Sequence, residues 1–238
     1  MPVGAFLLVV AVILIYFGVA QRVLDRMRLT DRAALLIVGL ILAGSFFNVA
    51  LVRQPAALIV NVGGGLVPIG VSVWLIATAD TAVERLRGIL AALFSGAAVF
   101  VLGRMVLAGY RAEPEAMFME PLYLFALVAG AIGYLAGRSR RAAFIGGILG
   151  IVLADLAHFV ELHLEGMPGR AWIGGAGAFD AVVLAGLLAV LLAEVVGESR
   201  ERLRGGPAPG RRAPGQTSLR GEGLPGASGR GEDGRENQ

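Results

Sequence analysis

The sequence predicts an all-α integral membrane protein, with about seven transmembrane helices, a re-entrant hairpin between the second and third, and a disordered C-terminal tail. Three observations predict it. Hydrophobic residues make up 56% of the 238 positions and mean hydropathy is +0.74, more apolar surface than one soluble core can hide. Apolar runs near the roughly 20 residues needed to cross a bilayer recur as far as Gly197. After Glu198 the chain turns to Gly, Pro and mixed charge, a composition that cannot bury enough apolar surface to order itself. Residues 1–197 are therefore expected to form the transmembrane domain and 198–238 a cytoplasmic tail.

Helix 1 runs from Val3 to Ala20. Gly18-Val19-Ala20 has the small residues of a signal-peptide cleavage site, but no basic segment precedes the apolar run, which favours a retained first helix. Helix 2 begins near Ala33 and is clear to Phe46. Next come two short β-prone runs, Val49–Val52 and Leu58–Val62, around Arg53-Gln54-Pro55, the pattern of a hairpin. Gly63-Gly64-Gly65 and Pro68 oppose one continuous helix here, so helix 3 is confined to Val67–Ala79. Helix 4 spans Gly88–Leu107. Helix 5 opens with Pro121, whose missing N–H costs nothing in a first turn, and ends near Gly137. Helix 6 is placed at Ala142–Leu164 and helix 7 at Trp172–Gly197. Ala129, Gly133 and Gly137, then Gly146 and Gly150, then Gly177, Ala181, Ala185 and Ala189, form small-residue stripes for close helix contact.

Arginine placement orients this topology. All 21 basic residues are arginine. Arg22, Arg26, Arg28, Arg32, Arg85, Arg87, Arg138, Arg140, Arg141, Arg200, Arg202 and Arg204 fall on one side, against Arg53, Arg104, Arg111 and Arg170 on the other. By the positive-inside rule the N-terminus is outside and the C-terminus cytoplasmic, in a cell membrane. The net charge of +3 reflects this topology and does not point to nucleic acid. With no cysteine there is neither a disulfide framework nor a thiolate metal site.

The chemistry-bearing residues are one-sided. Asn48, Asn61, Arg104, Glu120, Asp155, His158, Glu161 and Asp180 all fall in the expected outer half. Asp155 lies about ten residues before the turn between helices 6 and 7, and Asp180 about eight residues after Trp172, depths of roughly 15 and 12 Å at 1.5 Å per residue. Isolated carboxylates at such depth face a bundle interior or a wet cavity. Asp155 and Asp180 are thus candidates for a catalytic pair, and Asn48, Asn61, Arg104, Glu120, His158 and Glu161 for a binding pocket. A plug of paired charges, with Arg104 neutralising Glu120 or an aspartate, is the competing structural reading. Asp155, His158, Glu161 and Glu165 also make a stripe on one face of helix 6, with ligand types suited to zinc, manganese or iron. His163 projects elsewhere and no HExxH-type pair exists, so no metal and no cofactor is assigned. Gly174-Gly175-Ala176-Gly177 has neither the preceding strand nor the Lys-Ser/Thr of a phosphate loop, and no Ser-His-Asp or Cys-His arrangement is legible.

At NVGGGLVPIGVSVWL (Asn61–Leu75) and IGGAGAFDAVVLAGLLAVLLA (Ile173–Ala193), supported by ADLAHF at Ala154–Phe159, the chain resembles an uncharacterised family of bacterial and archaeal membrane proteins, domain of unknown function sixteen-fourteen. The resemblance covers helices 2 to 7 and implies a membrane location. A weaker resemblance is to the GxGD intramembrane aspartyl proteases, which place two aspartates on adjacent helices. Here Ala154-Asp155 stands in place of their Tyr-Asp, GAGAFD carries two extra residues before Asp180, and no Pro-Ala-Leu motif follows.

Three functions from different classes are consistent with these residues. The first is an outward-facing, carboxylate-lined pocket that binds or passes a proton, a cation or a small polar solute. The second is an aspartyl protease. The third is a structural or assembly protein acting through its tail and helix faces, with its buried polar residues paired as ion pairs; on every reading the lipid bilayer is a partner.

Overall fold

The computed structural model describes residues 17–24, 29–112 and 121–203. They are mostly helical, as the hydropathy pattern requires. In chain order they form α1 (residues 17–24), α2 (Asp31–Gly44), β1 (Asn48–Val52), β2 (Ala56–Asn61), a π-helical turn (Val62–Leu66), α3 (Val67–Ala77), α4 (Ala82–Ala112), α5 (Pro121–Gly137), α6 (Arg140–Leu164), β3 (Gly169–Ile173), a single 3-10 turn (Gly177–Phe179) and α7 (Ala181–Leu203). Most of helix 1 and of the tail, together with Glu120, falls outside the described residues.

The helix ends follow local chemistry. Thr30 accepts a hydrogen bond from the Ala33 N–H to start α2, and Ser139 does the same from Ala142 at α6. Each satisfies one of the N–H groups that the first turn leaves without a partner. At the other end of α3, Arg85 donates to the Ile76 carbonyl at 3.1 Å and Arg141 to the Thr78 hydroxyl at 3.1 Å. These guanidinium groups meet the last carbonyls, where the helix dipole favours positive charge.

The hairpin expected around Arg53-Gln54-Pro55 is present. β1 and β2 pair antiparallel, Asn48 opposite Asn61 and Val49 opposite Val60, with a bulge between Ala50 and Val52. Two expectations are corrected. The fold is not all-α, because the order β1-β2-β3 makes a three-stranded sheet. And helix 7 begins at Ala181 instead of Trp172, since Gly169–Ile173 is a strand running parallel to β2, Leu58 opposite Ala171 and Val60 opposite Ile173. Those four side chains are buried on one face, the period-two burial of a strand. The continuous apolar run from Trp172 onward had concealed that alternation.

Two glycine segments cross between the sheet and the helices. A Cβ on Gly64 would stand 2.4 Å from the Gly174 carbonyl oxygen, and one on Gly174 would stand 2.2 Å from the Gly64 carbonyl carbon. Gly174 also has φ +73°, a left-handed conformation that side chains resist. Ser45 and Asn61 tie the crossing together. Asn61 donates to the Ser45 carbonyl at 2.8 Å and to Asn48 Oδ1 at 3.0 Å, and accepts from the Gly64 N–H at 2.8 Å. Ser45 Oγ accepts from the Ala178 N–H at 3.0 Å.

The long helices pack through small residues. Gly88 approaches Ile145, Gly146 approaches Ala91, and Gly96 approaches Gly150 and Leu153, so α4 and α6 run parallel in step. On the other side of α6, Gly147 sits against Ala185 and Gly186 against Ile148, while Arg140 pairs with Glu194 at 2.8 Å. Rising numbers on α6 meet falling numbers on α7, so that pair is antiparallel. Two described helices, Ala82–Met105 and Arg140–Leu164, are long and apolar enough to cross a membrane. Arg32–Gly44, Val62–Ala77, Leu122–Gly137 and Ala181–Gly197 are shorter apolar helices.

Alanine at Gly64 or Gly174 forces backbone apart and is expected to cost at least the ~1–3 kcal/mol typical of overpacking. Gly39 and Gly70 have nothing within 4 Å of a built Cβ and lie inside helices, where alanine gains up to about 1 kcal/mol. Thermal unfolding of the four purified variants checks this. Equal midpoints for Gly64→Ala and Gly70→Ala would remove the crossing as a constraint.

Candidate functional site

Beyond the Gly96–Gly150 contact the small residues of α4 and α6 give way to Val99, Phe100 and Leu153. Space opens between the helices, and Phe125 of α5 closes its third side. The resulting cavity of ≈ 130 Å³ is lined by Val99, Phe100, Gly103, Arg104, Phe125, Ala154, Asp155, His158 and Glu161. Phe100, Gly103 and Arg104 share one face of α4 by helical spacing, as Ala154, Asp155, His158 and Glu161 share one face of α6. Gly103 leaves room for the Phe125 ring, whose tip lies 3.7 Å from where a Cβ would be.

Four of the residues singled out from the sequence thus meet in one place. Arg104 forms an ion pair with Glu161, and its guanidinium carbon lies 5.6 Å from the centre of the Phe100 ring. The arginine side chain is 63% exposed and the glutamate 22%, so the pair stands at the cavity mouth. Asp155 is half-buried and is without a hydrogen-bond or ion-pair partner among the described residues. His158, one turn along, is exposed. His163 turns away and packs against Phe159, ring centres 5.7 Å apart. Among the described residues no group of three or more His, Asp or Glu side chains converges to hold a metal, so the stripe on α6 does not close into a ligand shell.

The other candidates lie elsewhere. Asn48 and Asn61 bond each other at the base of the hairpin and hold the glycine crossing, outside the cavity lining. Asp180 is not eight residues inside a helix, because β3 and the glycine segment occupy that stretch. It stands immediately before α7 as the capping residue. One carboxylate oxygen accepts from the Val182 N–H at 3.0 Å and the other from the Ala176 N–H at 3.0 Å. Both oxygens of Asp180 thus serve the backbone at the start of α7, and Asp180 is absent from the cavity lining that holds Asp155. The sequence reading missed Phe100 and Phe125 as cavity walls, although the i, i+4 spacing of Phe100 and Arg104 was available to place one of them. Ser45 was missed too, and nothing in its local sequence marks it.

The cap makes a quantitative expectation. Asp180→Ala removes the acceptor of the buried Val182 N–H and of the more exposed Ala176 N–H and is expected to destabilise by about 1–2 kcal/mol, read as a lowered unfolding midpoint. An unchanged midpoint would show that Asp180 serves something other than the α7 terminus.

Residues 8–192 match the family described as Protein of unknown function (DUF1614). No curated protein matches the chain, and no solved structure does.

Proposed function

We propose the following for this chain, which belongs to the DUF1614 family of unknown function: it is a multi-pass membrane protein whose α4–α6 cavity opens outward and binds or passes a proton, a cation or a small polar solute. Exposed Leu86, Leu93, Phe94, Val101 and Met105 on α4 support the membrane location, because such a face is stable against lipid and costly against water. The distribution of arginines supports an outside N-terminus and a cytoplasmic C-terminus.

One observation carries the functional reading. The Asp155 carboxylate lines a cavity without a partner among the described residues. A half-buried carboxylate left so is expensive unless something else comes to satisfy it. Water can satisfy its hydrogen bonds, and a proton or a cation can also offset its charge. A structural reading, in which the polar residues only pair with one another, draws support from the Arg104–Glu161 pair but gives Asp155 no role.

Purified chain in liposomes separates the two. Wild type is expected to show either a rise in unfolding temperature with added monovalent cation or proton flux reported by an internal pH dye. Asp155→Asn, similar in shape, is expected to lose that response while inserting normally. If the variant responds as wild type does, the pocket reading fails and the paired structural reading stands. Orientation has its own check: reporters fused after Arg204 and within Glu113–Met119 should report opposite compartments, and a common compartment would mean a miscounted crossing.

A further inference from the structure

We infer that the cavity takes a small organic monocation, a guanidinium or primary ammonium group, seated on Asp155 against the Phe125 ring. This rests on the reading of the cavity as a cation site and narrows it to a ligand class.

The protein supplies its own precedent for that chemistry. At the mouth, the Arg104 guanidinium is held by a carboxylate, Glu161, and by an aromatic face, the Phe100 ring at 5.6 Å. The same two components recur in the cavity lining, which Asp155 and Phe125 share. A carboxylate supplies charge and hydrogen-bond acceptors, and a ring face attracts a cation through its quadrupole, more strongly where water is scarce.

Charge, size and wall chemistry each narrow the class. Among the described residues Arg104 and Glu161 match one another and Asp155 is the lining carboxylate left over, so a single positive charge balances that lining. The ≈ 130 Å³ of space exceeds what a single water needs and leaves room for an ion of a few heavy atoms. A divalent ion needs an oxygen shell of about six or more, and among the described residues no cluster of three ligands exists. A bare alkali ion wants a comparable oxygen shell, whereas Val99, Phe100, Phe125 and Ala154 offer hydrocarbon. An organic cation presents N–H donors to Asp155 and an apolar or π surface to those walls.

The test uses the full chain in lipid nanodiscs, titrated calorimetrically at matched ionic strength with low-millimolar guanidinium, methylammonium, sodium or potassium chloride. Saturable binding of guanidinium and methylammonium, well above that of the alkali ions, is expected. Asp155→Asn should weaken it by about tenfold or more and Phe125→Leu by about threefold, while Phe125→Tyr, which keeps the ring, should retain it. Tyr also guards against a Leu variant that simply misfolds. Sodium or potassium binding as tight as guanidinium and indifferent to Phe125→Leu would overturn the organic-cation inference and leave the cation site standing. Guanidinium binding that survives Asp155→Asn would overturn it as nonspecific association. No saturable binding of any cation, with Asp155→Asn indistinguishable from wild type, would remove the inference and the cation reading beneath it.

Discussion

Two backbones touch where Gly64 meets Gly174, and no residue with a side chain fits at either position. Much of the architecture depends on that contact. One strand of it leads from the hairpin into α3, the other from β3 into α7. Pressing them together brings β3 alongside β2 and completes a sheet that neither segment could form alone. The short strands have little stability of their own, so their order depends on the crossing and on the hydrogen bonds of Asn61 and Ser45 that hold it. Polar side chains are affordable there because nearly every donor and acceptor finds a partner.

The same economy of side chains governs the helices. Small residues let α4 and α6 come into backbone contact near Gly96 and Gly150, and let α6 meet α7 near Gly147 and Ala185. Close packing of this kind is the main source of cohesion between apolar helices where burial from water is not available. It also fixes where the packing stops. Beyond the Gly96–Gly150 contact Val99, Phe100 and Phe125 line a cavity with Gly103, Ala154 and Asp155, and the Arg104–Glu161 pair joins α4 to α6 again on its far side.

Much of this was legible in the sequence, unevenly. The hairpin could be read because β-branched runs flank Arg53-Gln54-Pro55, whereas the glycine triplet behind it, expected to oppose a helix, forms a π-helical turn that leads straight into α3. Arg104, Asp155, His158 and Glu161 could be grouped because charges at helical spacing in an apolar run must face something polar. β3 could not be read: Gly169–Ile173 acquires its strand identity only by pairing with β2, more than a hundred positions earlier, and its apolar residues run on into a helix. Asp180 was misplaced for the same reason, since its depth was counted along a helix that does not yet exist at Trp172. Asn61 is a buried polar residue and Asn48 an exposed one, and both lie outside the Asp155 lining, because local sequence gives chemistry and not which loop a side chain serves. Phe100 and Phe125 look like any other apolar residue until α4, α5 and α6 are set side by side.

The claim at the centre is that the Asp155 cavity is wet and open to the outside. The chain contains no cysteine, so a single introduced thiol reports without background. His158→Cys, in intact cells, can be challenged from outside with membrane-impermeant methanethiosulfonates of opposite charge. Labelling from outside is expected, faster with the cationic reagent than with the anionic one, and slowed towards parity when Asp155→Asn is added. Labelling that occurs only after the cytoplasmic face is exposed, or that ignores reagent charge, would contradict an outward-facing carboxylate site.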